Sequence, residues 1–166
     1  VAVRHAEELV VTLSGANLTI GYSDRVVGRG LDVSLKQGEV LALLGPNGGG
    51  KTTLLKTLLG ILKPLAGEAQ IDGRSLNAFS IRERARRVAY VPQVHNPTFA
   101  FTVETVVLMG RSAHGGLFSR PSAKDRAAAE RALAELDIAH LKERPYTMIS
   151  GGERQLVLLA RALAQE

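Results

Sequence analysis

Between residues 40 and 62 the chain changes period within a few positions. Val40-Leu41-Ala42-Leu43-Leu44 is an unbroken apolar run, the pattern of a strand buried on both faces of a parallel sheet. Leucines at 54, 55, 58 and 59 then fall at helical spacing, which predicts a helix over 52–62 that ends near Gly60 and before Pro64. The junction is Gly45-Pro46-Asn47-Gly48-Gly49-Gly50-Lys51-Thr52. Its glycines let successive backbone N–H groups curl around an anion without Cβ clashes. The helix that follows adds partial positive charge behind them. The spelling fits G-x-x-x-x-G-K-[ST], a loop that cradles nucleotide phosphates. In that reading Lys51 reaches the β- and γ-phosphates, the Thr52 hydroxyl serves Mg²⁺ and Thr53 sits where it could touch the α-phosphate. The plain alternative is a glycine-rich turn with an incidental lysine, and the strand before and helix after it argue against that.

The remaining elements fit around this unit. Residues 9–13, 17–21 and 33–35 read as short antiparallel strands, with breaks at Ser14-Gly15, Ser23-Asp24 and Lys36-Gln37-Gly38. Residues 68–72 with Gly73 read as a strand and turn, 81–87 as a short helix, and Val88-Ala89-Tyr90-Val91 as a second buried strand stopped by Pro92. From Thr102 the texture is helical. Ala129, Ala132, Leu133 and Leu136 form one stripe, and Leu156, Leu159, Ala160 and Leu163 another. Arg82, Arg84, Arg86 and Arg87 read as a solvated helix face with Ile81 and Ala85 on the buried side, or as a contact with a partner subunit. This is the one dense cluster in a chain of net charge +5, so the charge does not point to nucleic acid. No apolar run approaches the roughly 18 residues that span a bilayer. Absence of cysteine removes disulfide and thiolate chemistry.

A second anion-binding candidate opens the last helix at Ser150-Gly151-Gly152-Glu153. Ser and Glu three apart also spell a capping box, which satisfies helix-terminal N–H groups without any ligand. Both can hold at one helix end. The two glycines favour the ligand reading, because a cap does not require them and glycine weakens a first turn.

Together, in this order, the motifs resemble an ATP-binding subunit of the ABC transporter family. The resemblance covers nearly the whole chain and implies an α/β P-loop NTPase core with an N-terminal antiparallel β segment and an inserted helical subdomain. It divides the chain into 1–95 (β segment plus P-loop core), 96–150 (helical subdomain) and 151–166 (signature helix). It implies that Ile149-Ser150-Gly151-Gly152-Glu153 is the signature, binding the γ-phosphate of ATP held by a second copy. Ile149 and Glu153 depart mildly from the usual Leu and Gln, and Gly49 stands where a small Ala, Ser or Cys is usual. Gln93, after Tyr90-Val91-Pro92, resembles the Q-loop glutamine that approaches Mg²⁺ or attacking water. Tyr22 resembles the aromatic residue that stacks on adenine; a half-buried strand tyrosine is its other reading. Met109-Gly110-Arg111 and ISGGERQLVLLARALAQE from residue 149 resemble the branch that imports iron chelates, haem, cobalamin and related cargo. The implied partners are a second ATP-binding subunit, a polytopic membrane permease and, indirectly, a periplasmic or surface binding protein. The implied location is the cytoplasmic face of the membrane, with ATP and Mg²⁺ as cofactors.

Hydrolysis also needs a strand-end Asp for Mg²⁺ and a residue that positions water. In the family these follow the signature helix, and a switch histidine comes later. Asp137 and the histidines at 95, 114 and 140 do not stand in those places and read as surface, loop or helix-end residues. The 166-residue chain is therefore expected to be a fragment or truncation that does not hydrolyse ATP, and Lys51-dependent turnover by the purified chain would refute this. A DNA-repair or chromosome ATPase would carry long coiled coils between the two motifs. Here about a hundred residues without sustained heptads separate Lys51 from Ser150. A soluble ABC-type ATPase acting in translation and a non-catalytic nucleotide-binding module stay open at this point.

Overall fold

The computed structural model describes residues 11–93, 100–115 and 120–165. It divides between Ser80 and Ile81 into two compact units, upstream of the 95/96 division by motif. The first unit is built on a four-stranded antiparallel sheet in the order β2-β1-β3-β4. β1 (Val11–Tyr22) and β2 (Arg25–Lys36) form a long hairpin that turns at Ser23-Asp24. The sequence breaks this hairpin too often. Ser14-Gly15 lies inside β1, and the polar stretch after Asp24 belongs to β2, because ladder pairing on β1 outweighs weak local propensity. β3 (Ala66–Ile71) pairs with β1, and the two-residue β4 (Arg74–Ser75) turns back on β3.

Helix α1 (Lys51–Leu58) lies against β1 and β3. Leu58, Leu18, Ile20, Ala69 and Ile71 are buried in this unit. The helix is shorter than the sequence suggests. Gly60 takes φ 68, the left-handed conformation that ends helices.

Two expectations fail here. Residues 40–44 and 88–91 form no strand among the described residues, and Val40 and Leu44 are 92% and 90% exposed. A parallel strand needs neighbours on its edges and layers over both faces. No described strand pairs with either run, so apolarity alone does not bury them.

The second unit is helical. After α2 (Ile81–Ala85) come α3 (Val103–Leu108), α4 (Ala123–Glu135) and α5 (Gly151–Leu163), with 3-10 turns between them. α3, α4 and α5 share one core of Val103, Val107, Ala129, Leu133, Val157 and Ala160. The α4 stripe packs as its spacing predicts. In α5 Val157, Leu158 and Ala160 are buried, as is Ala164 at its C-cap, whereas Leu159 and Leu163 are about two-fifths exposed, at 39% and 43%. Small alanines face the core because α5 lies close to its neighbours. One place shows how close: a Cβ on Gly110 would stand 2.2 Å from the Arg161 carbonyl oxygen. In α2, Ile81 is 79% exposed and not on a buried face.

Candidate functional site

The loop before α1 owes its shape to backbone conformations that side chains resist. Gly45, Gly48 and Gly50 have φ of 148°, 78° and 86°. Around Gly45 and Gly48 there is open space, so backbone conformation and not crowding demands glycine there. At Gly50 a Cβ would also stand 2.7 Å from Val27 Cγ1 on β2, which seats the loop against the hairpin. Gly49 is different. Its φ is ordinary, and a Cβ would meet the Pro46 carbonyl at 3.1 Å, a contact relieved by a shift of a few tenths of an ångström. The Gly49 N–H donates to that same Pro46 oxygen, closing a turn around Asn47.

Lys51 braces the loop from inside. Its ammonium donates to the carbonyls of Gly45 and Pro46, both at 2.8 Å. An ammonium has three donors, so one remains for a further acceptor. The N-cap of α1, Gly50, offers no side-chain acceptor to the first-turn N–H groups. The loop therefore combines uncapped helix N–H groups, a cation and empty space over glycine. That arrangement fits a phosphate chain. Thr52 is exposed beside it. Thr53 is buried on the inner face of α1, where its carbonyl accepts from the Thr57 hydroxyl at 2.9 Å. Tyr22 ends β1 and is 46% exposed, two residues beyond Ile20, whose Cδ1 is 3.9 Å from the Cβ position of Gly50.

In the second unit Gln93 is exposed at a bend. Ser150 caps α5. Its Oγ accepts from the Glu153 N–H at 3.3 Å, and its own N–H donates to Glu153 Oε2 at 2.7 Å. Those bonds hold the Glu153 carboxyl below the usual carboxylate range. Gly151 and Gly152 have ordinary helical φ and nothing within 4 Å of a Cβ, so the chain's own packing needs neither glycine. The capping box is present as spelled, and the open space over both glycines is what a ligand would require. Arg154 Nη2 donates to the Thr147 carbonyl at 2.7 Å, tying the helix to the turn before Ser150.

The buried pair Arg111 and Asp125 has no signature in the sequence. Arg111 is 5% exposed, and its Nε donates to Asp125 Oδ1 at 3.0 Å. Asp125 also completes a capping box with Ser122 at the start of α4. Hydrogen bonds from the Ser122 hydroxyl and N–H, then from Arg111, lower its pKa from 3.8 to about 2. Ser122-x-x-Asp125 signals the cap, but no spacing rule pairs Asp125 with an arginine fourteen residues upstream. Because the folded pKa is depressed, the stabilisation is complete above the unfolded value near 3.8 and is lost as pH falls toward 2. Asp125→Asn is expected to lower the urea midpoint at pH 7, and the gap from wild type should shrink steadily below pH 4. A gap that stays constant down to pH 2 would deny Asp125 this role.

His140 is exposed and Asp137 follows α4 at φ 56, as expected of surface and helix-end residues. His114 is not a free loop residue, since its Nε2 lies 2.6 Å from the Gln165 carbonyl oxygen. His95 lies outside the described residues.

Comparison with known proteins bears on the family and the fold. The family described as ABC transporter matches residues 29–166. A hemin import ATP-binding protein, HmuV, of Pseudomonas entomophila is 46% identical over 156 residues, covering 94% of this chain and 59% of that protein. An iron(3+)-hydroxamate import ATP-binding protein, FhuC, of Bacillus subtilis is 39% identical over 154 residues, covering 93% of this chain and 57% of that protein. An inward-facing metal-chelate type ABC transporter superposes with a TM-score of 0.79 at 38% identity, over 95% of this chain and 57% of that one. The chain thus spans somewhat under three-fifths of the length of these two relatives, at 59% and 57%. With its glycine loop, antiparallel sheet and helical unit in the family's order, the chain belongs to the ABC transporter family and has the P-loop fold of its ATP-binding cassettes.

Proposed function

We propose that this chain is the nucleotide-binding part of an importer's ATPase subunit. It would bind ATP with Mg²⁺ at residues 45–53 and share that ATP with the Ser150 end of a second copy. The observation that carries the reading is the loop itself: three glycines at positive φ, an uncapped α1 and Lys51 with a donor to spare. Lys51 would hold the β- and γ-phosphates, Thr52 and Gln93 would serve Mg²⁺, and Tyr22 would stack on the base. When bound, Mg²⁺ neutralises the charge between the terminal phosphates. Gly151, Gly152 and the Ser150 hydroxyl would face the γ-phosphate from the other copy. By role we divide the chain as 1–95, 96–150 and 151–166.

The import names of the relatives support a cargo of the iron-complex or haem class and a polytopic permease as partner, with a binding protein handling cargo outside. No helix among the described residues is long and apolar enough to cross a membrane, which fits a subunit docked on the permease at the cytoplasmic face. Those same names favour this reading over a soluble ATPase in translation or DNA maintenance. Titration calorimetry with Mg²⁺ and ATP tests the core of the proposal. One site per chain with micromolar affinity is expected, and no heat of binding at millimolar ATP would end it.

A further inference from the structure

Met109-Gly110-Arg111 and the end of α5 form a junction that the nucleotide site does not explain. The Arg111 guanidinium is buried, anchored on Asp125, and its Nη1 donates to the carbonyls of Ala164 at 3.0 Å and Gln165 at 3.4 Å. These carbonyls follow α5 and have no acceptor role inside the helix. His114 adds a contact to the same Gln165 carbonyl at 2.6 Å. Gly110 permits the approach, since its Cβ would overlap the Arg161 backbone. The Gln165 backbone is therefore gripped from two sides.

Its side chain reaches away from α5. Gln165 Nε2 donates to the Ala85 carbonyl and, at 2.9 Å, to the Val88 carbonyl. Arg86 Nε returns the tie by donating to the Ala113 carbonyl at 2.9 Å. Ala85 is the last residue of α2, and Val88 begins the irregular segment that runs to Gln93 and pairs with no described strand. Side-chain amide bonds to its carbonyls stand in for the pairing that a strand would have.

We propose that Gln165, held by Arg111 and His114, is a positioning residue that couples the segment carrying Gln93 to the helix carrying Ser150. The inference rests on the reading above for the roles of Gln93 and Ser150. α5 is a rigid lever: its 13 residues span about 20 Å at 1.5 Å per residue. A tilt of about 10° at the Gln165 end would carry Ser150 roughly 3–4 Å, more than the tolerance of a phosphate hydrogen bond.

The absence of cysteine makes the test direct. Spin labels at Ala89→Cys and Gln155→Cys, both exposed, report the distance between the segment and the helix. The 166-residue chain should give one narrow distribution. Gln165→Ala should broaden it about twofold, with an unchanged melting temperature and ATP affinity, and weaken ATP-dependent self-association about tenfold. An unchanged distribution overturns the proposal. So does a broadened one with undiminished self-association, because Ser150 would then not depend on the tie. Should Gln165→Ala fail to fold, Arg86→Ala, which removes the return bond alone, is read by the same two measurements. Wild-type chain that binds ATP without self-associating would defeat the shared-site reading, while the label distances would still decide the coupling.

Discussion

Lys51→Ala is expected to lower ATP affinity by at least about a hundredfold. A hydrogen bond to a charged group contributes about 1.5–3 kcal/mol, and each 1.4 kcal/mol is a factor of about ten. Loss of contacts to two phosphates thus spans roughly two to four decades. The substitution also removes both bonds that brace the loop, to the carbonyls of Gly45 and Pro46. Lys51→Arg should not restore binding, because a planar fork does not fit where a compact ammonium donates to two adjacent carbonyls. Calorimetry of the three proteins decides the matter. Affinity within threefold of wild type in the alanine variant would remove Lys51 from the site.

Ser150→Arg should separate two events that Lys51→Ala abolishes together. Ser150 lies in the second unit, and its bonds are confined to the first turn of α5. ATP binding at the glycine loop should therefore stay within about twofold of wild type. ATP-dependent self-association should fall below detection by sedimentation velocity, because the new side chain fills the open space over Gly151 and Gly152. Loss of the cap alone costs about 1 kcal/mol. Ser150→Thr, which retains the cap, controls for that cost and should associate normally. An arginine variant that still associates on adding ATP would confine Ser150 to capping.

The parts of this molecule that were legible in the sequence are those held by short-range rules. The glycine loop, the Ser150 cap and the α4 stripe each follow from spacing within about seven residues. The failures come where a distant partner decides. Residues 40–44 and 88–91 have strand composition, but a strand in a parallel sheet is made by neighbours far along the chain, and none of those described pairs with them. The hairpin is longer than its composition suggests for the opposite reason: β1 runs unbroken through residues 14–16 because β2 and β3 flank it. In α5 the stripe holds at Leu156 and Ala160 but not at Leu159 and Leu163, because close helix contact favours small residues in the core. The Arg111 and Gln165 junction was invisible because long polar side chains choose partners in space and leave no period.

The two helix starts divide their labour unequally. α5 carries its own cap in Ser150 and Glu153, whereas α1 begins at a glycine with no side-chain acceptor. On the proposed reading, the missing cap of α1 arrives from solution as a phosphate. A bound ligand at a hundred times its dissociation constant stabilises a fold by about 2.7 kcal/mol. The stability of the unit that holds α1 would then rise with the concentration of free nucleotide, so the ligand itself would complete the fold.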